Sequence, residues 1–363
     1  MKNSSPVINR LFWVDLIRIV SVFLVIVVHA GDYALGYWGK FPFRNGAILS
    51  WWISAAAWNS LARAGVPLLF MASGYLLLQT SDDIPVFFKK RFVKVFVPLM
   101  AWSVFYIWWK GFYAGVPSLL DGSYFTFHYF VTGPVYYTLW FLYVLIGLYL
   151  IAPVFRPLAR SVTSRESAYI LLLWGVTMIL SLIARISGWS ITLFVQPYIS
   201  GYLGYFLAGY ILGQGNLPRW SIYASTVAII VIVTGMSAWM YLEVTIGNGD
   251  KSFILDYLSL HVCGLSVACF ILLKNVGLVL ADKFPVKLQT AVSYLAKLSF
   301  GTYLVHDIFL YALANRWLGV KINAMSGSPF IGIPLMVSIS FVLSLALVTL
   351  LQQIPLVRRV VPS

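Results

Sequence analysis

Three polar residues interrupt a segment otherwise fit for lipid: Asp15, Arg18 and His29, within the run from Trp13 to His29. A charge inside a bilayer costs several kcal/mol, so it usually faces a cavity and usually has a task. On a helix, Arg18 lies about 60° around the axis from Asp15, and His29 lies about 40° from Asp15 on the same side. All three therefore fall in one narrow wedge. Arg18 and His29 are separated by about 16 Å along the axis. The chemistry this allows is specific. A guanidinium holds phosphate well, and a neutral imidazole can take a proton from a hydroxyl, as transfer of an acyl group requires. The plainer readings are a core histidine bonded to a neighbouring helix, and an Asp15–Arg18 pair neutralising itself at i, i+3.

Other candidates lie further along the chain. Lys89, Lys90, Arg91 and Lys94 form a basic cluster abutting an apolar run. It is either ordinary inside-facing charge or headgroup contact, or an anchor for the phosphates of a cytosolic donor. His306 and Asp307 are a second polar pair inside an apolar run, with Tyr303 one turn before His306. Arg63 sits in Arg63-Ala-Gly65-Val-Pro67, where proline removes a helix bond and a break is expected. Arg185 and Arg316 read as residues snorkelling near helix ends. His261 reads as structural, while Glu243 and Asp250 read as solvated loop residues. His128 and Asp121 fall in an outer loop spanning 110–135. There is no Walker loop, dinucleotide fingerprint, HExxH or GxSxG, so hydrolase and ATPase readings have no support, and no metal is expected.

The elements that must position these residues are membrane helices. The chain has 363 residues, 61% of them hydrophobic and only 10% charged, with mean hydropathy +0.87. A soluble domain of this size does not have that composition. The expected fold is an all-α polytopic membrane protein with about ten spans: 11–31, 49–79, 92–109, 136–153, 167–187, 199–213, 221–242, 254–273, 292–314 and 330–352. No stretch is left for a soluble domain, so residues 1–363 read as one transmembrane domain. No cleavable signal peptide is expected, and the first span reads as an uncleaved anchor. Cys263 and Cys269 share one apolar segment and read as small core residues.

The net charge of +14 is read as orientation rather than nucleic-acid binding. Most of the basic residues, Lys274 among them, fall in stretches that alternate to one side. That bias places both termini in the cytoplasm.

With these motifs assembled, the chain resembles the acyltransferase-3 family of integral-membrane acyltransferases. Asp15-Leu-Ile-Arg18 followed by His29 resembles the family's opening helix, with its arginine, ten residues and histidine. The segment from Val66 through Ser73, Gly74 and Tyr75 resembles its second-helix signature. Lys90-Arg91-Phe-Val-Lys94 resembles its basic stretch, and Tyr303-Leu-Val-His306 its late-helix motif. The segment from Leu139 through Trp140 to Tyr149 resembles the subgroup that includes the enterobacterial common antigen O-acetyltransferase.

The resemblance implies a bacterial inner-membrane enzyme. It would move an acetyl group from acetyl-CoA to a hydroxyl of a surface or secreted polysaccharide or its lipid-linked precursor. The expected partners are membrane lipid and that glycan, without nucleic acid. Carried over, His29 is the base, with Arg18 and Asp15 beside it. Arg91, Lys94, Lys90 and Arg63 fall to the donor, and His306, Tyr303 and Trp140 to the substrate. Two positions depart from the pattern: Lys94 stands in place of an arginine, and Thr138 in place of a histidine. The second departure directs the base role to His29. The rival readings are a transporter of a small solute or glycan precursor, for which buried Arg, His and Asp would line a path, and an assembly subunit of a glycan-export complex.

Overall fold

The computed structural model describes residues 6–38, 46–114, 133–188, 197–245, 252–355 and 357–362. The structure is 83% helical, with no strand among the described residues. The helices are α1 (Pro6–Trp38), α2 (Gly46–Ala62), α3 (Gly65–Leu78), α4 (Ile84–Arg91), α5 (Val97–Ala114), α6 (Trp140–Ser161), α7 (Ser164–Ser187), α8 (Pro197–Gln214), α9 (Trp220–Thr245), α10 (Leu260–Lys283), α11 (Val286–Ala314) and α12 (Pro329–Leu351). Eight helical stretches are long and apolar enough to cross a membrane. The two remaining expected spans, 199–213 and 292–314, fall on α8 and α11, which are helical but outside that set. His128, Asp121 and Asp250 lie outside the described residues.

The helix carrying the polar wedge stands at the centre. α1 packs against α2, α3, α10, α11 and α12, and Ile17, Ile26 and Ala30 on it are fully buried. The outer helices are the reverse of a soluble surface. On α7, Leu172, Leu173, Ile179 and Ile183 are exposed, and only Met178 is buried. An apolar exterior of this kind is what lipid solvates, since lipid tails are as apolar as leucine.

Small residues set the closest approaches, as is usual where lipid supplies no hydrophobic drive between helices. At the crossing of α3 and α8, a Cβ on Gly74 would overlap the backbone of Phe206, and one on Gly209 would overlap the backbone of Met71. Where α3 meets α1, a Cβ on Gly65 would come within 2.9 Å of the Ser21 carbonyl oxygen. The expected break in the second span is present: α2 ends at Ala62 and α3 begins at Gly65, with Arg63 and Ala64 in a turn between them.

Several sequence expectations are corrected. The third membrane stretch begins earlier than expected, running from Ile84 to Phe112, so the basic cluster lies on the helix and not before it. Residues Phe92–Phe96 form a π-helical turn between α4 and α5. Glu243 is not in a loop; it lies on α9, where its carboxylate accepts from Trp239 Nε1 at 3.3 Å. Arg316 lies at a helix end as expected, just after α11 and with φ 64°, and Trp317 N donates back to the Ala312 carbonyl at 2.9 Å, closing that end.

Lys274 is the largest correction. It is not a loop cation but a buried residue of α10, and its ammonium donates to the carbonyls of Leu212, Gly213 and Gly215 at 2.8, 2.8 and 2.5 Å. Those carbonyls belong to the last turn of α8 and the residue after it, where helix carbonyls have no partners of their own. A cation there also meets the negative end of the helix dipole.

Candidate active site

The sequence wedge is divided between two places on the same helix. At one end, Arg18 lines a partly open cavity of about 240 Å³ together with Arg91, Lys94, Ser73, Tyr149 and Tyr303. Six separate parts of the chain meet there: α1, α3, the π turn with the end of α4, α6, α11 and, through Pro362, the segment after α12. The π turn places Lys94. Closed by Val97 N donating to the Phe92 carbonyl, it is wider than an α-helical turn and shifts the register of the helix beyond it. Arg91 closes α4 with its guanidinium 5.3 Å from the centre of the Phe87 ring, and its Nε is buried without a hydrogen-bond partner.

The Asp15–Arg18 pair does not neutralise itself tightly. The closest approach is 3.9 Å, beyond hydrogen-bonding distance. Asp15 is instead held from α11, where Ser293 Oγ donates to it at 2.7 Å. Arg18 therefore keeps its charge directed at the cavity, while Asp15 is not part of the cavity wall. Lys90 is also outside that wall. Its ammonium donates to Asp82 Oδ1 at 2.7 Å, and this bond holds the Asp82 carboxyl below its ordinary value.

At the other end is a histidine pair that the sequence could not bring together. His29 on α1 and His306 on α11 have ring centres 5.3 Å apart, with planes 22° from parallel. Tyr137 meets the edge of His29 at 5.1 Å. His29 keeps partial exposure, whereas His306 and Asp307 are buried. Asp307 accepts from the hydroxyls of both Tyr136 and Tyr137, and the Tyr303 hydroxyl donates to the Thr138 carbonyl. Three bonds thus pin the short 3-10 segment before α6 onto α11. Tyr136 and Tyr137 were missed in the sequence. The only signal was their proximity to Trp140, and nothing local paired them with Asp307, 170 residues onward.

Tyr303 joins the two ends. It lines the cationic cavity, and its ring lies 5.9 Å from that of His306. The motif placed it on the substrate side; in the structure it lies between the cationic cavity and the histidine pair.

Arg63 sits near the histidines and away from Arg91. It donates to Asp32 Oδ1 at 2.9 Å and to Asn59 Oδ1 at 2.9 and 3.0 Å, and it lies 5.6 Å from the centre of the Tyr257 ring. Asn59 in turn donates to Asp32 at 2.8 Å. Asp32 is one turn after His29 on α1, so this network stands directly beyond the histidine. Trp140 continues the cluster, packing against Tyr257 and Tyr202 at 5.4 and 5.8 Å. His261, by contrast, spends its Nε2 on the Ile254 carbonyl at 2.7 Å and the Ser259 hydroxyl at 2.9 Å. Cys263 and Cys269 are buried free thiols.

A central helix with a cationic cavity at one level and an imidazole pair at another, inside an all-α polytopic bundle, defines a multi-pass membrane protein with polar groups gathered at two levels of its core. The sequence profile of an acyltransferase domain matches residues 11–351. The chain therefore belongs to the acyltransferase-3 family. No curated protein and no solved structure matches it.

Proposed function

We propose that this acyltransferase is an O-acetyltransferase. It takes the acetyl group of acetyl-CoA on the cytoplasmic side of a bacterial inner membrane and passes it to a hydroxyl of a surface or secreted polysaccharide or its lipid-linked precursor. Within the family, the reading places it nearest the subgroup of surface-glycan O-acetyltransferases. The observation that carries the reading is the convergence of Arg18, Arg91 and Lys94 on one cavity whose wall continues, through Tyr303, to the His29–His306 pair.

The donor set suits a phosphorylated coenzyme. Two guanidiniums and an ammonium converge without a carboxylate in the cavity wall among the described residues. Guanidinium forks take phosphate in paired bonds, and the ammonium of Lys94 adds a point charge. When bound, the coenzyme thioester supplies the activated acyl carbonyl. Arg18, Arg91 and Lys94 hold its phosphates and fix its depth. His29, about 16 Å further along α1 by helix rise, accepts the proton of the sugar hydroxyl as that oxygen bonds to the acyl carbon and the carbon–sulfur bond breaks. His29 then returns the proton to the departing sulfur. On this reading the Asp32–Asn59–Arg63 network and the Trp140–Tyr257 rings form the acceptor side. Polar groups there would orient hydroxyls, and rings would carry the apolar face of a sugar.

The test is transfer by the purified protein in lipid, with acetyl-CoA and envelope glycan, comparing wild type with His29→Ala. Coenzyme A release coupled to glycan acetylation and lost in the variant is the expected result. Near-normal transfer by His29→Ala would end the mechanism. Solute uptake without thioester consumption would favour transport instead.

A further inference from the structure

His306 Nδ1 lies 2.6 Å from the carbonyl oxygen of Tyr303, one turn earlier on the same helix. A carbonyl only accepts, so Nδ1 must carry the hydrogen. In a neutral ring the lone pair then belongs to Nε2. That atom is buried and has no hydrogen-bond partner, in a residue with no exposure at all. Leaving a buried acceptor unpaired is costly, and such a group in a folded protein calls for a reason. The His306 ring stacks on that of His29, centre to centre 5.3 Å, and the nitrogens of His29 make no hydrogen bond with the described residues. The two planes are 22° from parallel, so the contact is ring against ring, and a bond between them requires the His29 ring to turn.

We infer that His306 is the positioning residue that selects the reactive tautomer of His29: because His306 Nε2 can only accept, His29 must turn an N–H toward it, which leaves the other His29 nitrogen as the lone pair facing the acceptor hydroxyl. The order is set from the backbone outward. The Tyr303 carbonyl fixes His306, His306 fixes His29, and His29 meets the substrate. A carboxylate does this for the imidazole in hydrolytic triads; here a second imidazole takes that place. Asp307 makes no hydrogen bond to either imidazole among the described residues; its oxygens accept from the Tyr136 and Tyr137 hydroxyls. This inference rests on the acyl-transfer reading for its purpose, but not for its geometry.

Two substitutions separate the nitrogens of His306. His306→Asn keeps an N–H where Nδ1 stood and removes Nε2. His306→Gln carries its amide out to the Nε2 position, where its oxygen can accept from His29. The experiment measures transfer of radiolabelled acetyl from acetyl-CoA to envelope membranes of the producing cell, alongside nitrogen NMR of the full chain with isotope-labelled histidine in lipid. The expected results are a loss of about 100-fold in His306→Asn, partial recovery in His306→Gln, and unchanged coenzyme A binding in both. NMR of the wild type should report His306 with hydrogen on Nδ1, and His29 should become a tautomer mixture in His306→Asn. Wild-type transfer rates in His306→Asn would overturn the inference, as would hydrogen on His306 Nε2. If neither variant folds, the wild-type tautomer decides. Absence of transfer by the wild type would remove the acetyltransferase reading, while the NMR result would still stand for or against the histidine order.

Discussion

His29 on the central helix and His306 on α11 face each other with ring centres 5.3 Å apart. They are 277 positions apart in the chain, and each is held by a different logic. His306 is buried and fixed through its backbone neighbour, whereas His29 is partly exposed and makes no hydrogen bond with the described residues. One ring is thus fixed and the other can move, at the level of the bundle where the Asp32–Asn59–Arg63 network begins.

The cationic cavity makes a prediction about charge geometry. Arg91→Lys keeps the charge but loses the planar fork. We expect the KM for acetyl-CoA to rise about tenfold with kcat little changed, since on the proposed reading the lost contact is to the donor and not to the reacting carbonyl. Arg18→Ala should lower coenzyme A binding further, because no carboxylate within hydrogen-bonding reach of Arg18 shares its charge. Steady-state transfer kinetics check the first, and titration calorimetry with coenzyme A, and then with its dephosphorylated analogue, checks the second.

Lys274 predicts a stability effect with no active-site component. Lys274→Met leaves three carbonyls at the end of α8 without their donor. We expect a loss of about 3 kcal/mol, the scale for breaking a buried charged hydrogen-bond set. Thermal unfolding in detergent measures it. Since Lys274 is on α10 and the carbonyls belong to the end of α8, hydrogen exchange should rise first in the final turn of α8.

The crossing of α3 and α8 has no room for a side chain at its centre. Gly74→Leu and Gly209→Leu each force backbones apart, and we expect each to cost about 3 kcal/mol or to prevent assembly. Gly147, which has open space around it, is the control: Gly147→Ala should be neutral or slightly stabilising, as alanine is the better helix former. Expression level and melting temperature distinguish the two groups.

Asp307 tethers the segment leading into α6. Asp307→Asn replaces one accepting oxygen with a donor, so one of the two tyrosine bonds is lost. The expected cost is about 2 kcal/mol. The signature is local: faster exchange across Tyr136–Leu139, with the Lys274 contacts unaffected. Unchanged protection of that segment would show that the ring packing of Tyr136 on Tyr106, at 4.0 Å, holds it without the carboxylate.

The sequence alone determined the class of fold and one face of one helix. Hydropathy counts apolar residues, and a run of them long enough to span lipid must be helical, because nothing else satisfies its backbone there. Helical period is equally local, so Asp15, Arg18 and His29 could be placed on one wedge before any contact was known. The break after Arg63 was legible for the same reason, since proline acts on its own helix. Tertiary structure decided what each of those groups meets. It gave Arg18 to a cavity shared with Arg91 and Lys94, gave Arg63 to Asp32 and Asn59, and set His306 against His29. It turned Lys274 from an apparent loop charge into a buried cap of another helix. Apart from Asn59, these partners come from other helices, from 31 positions away for Asp32 and Arg63 to 277 for the two histidines, brought together by packing with glycines at the crossings. Composition and period carry no record of which helix lies beside which.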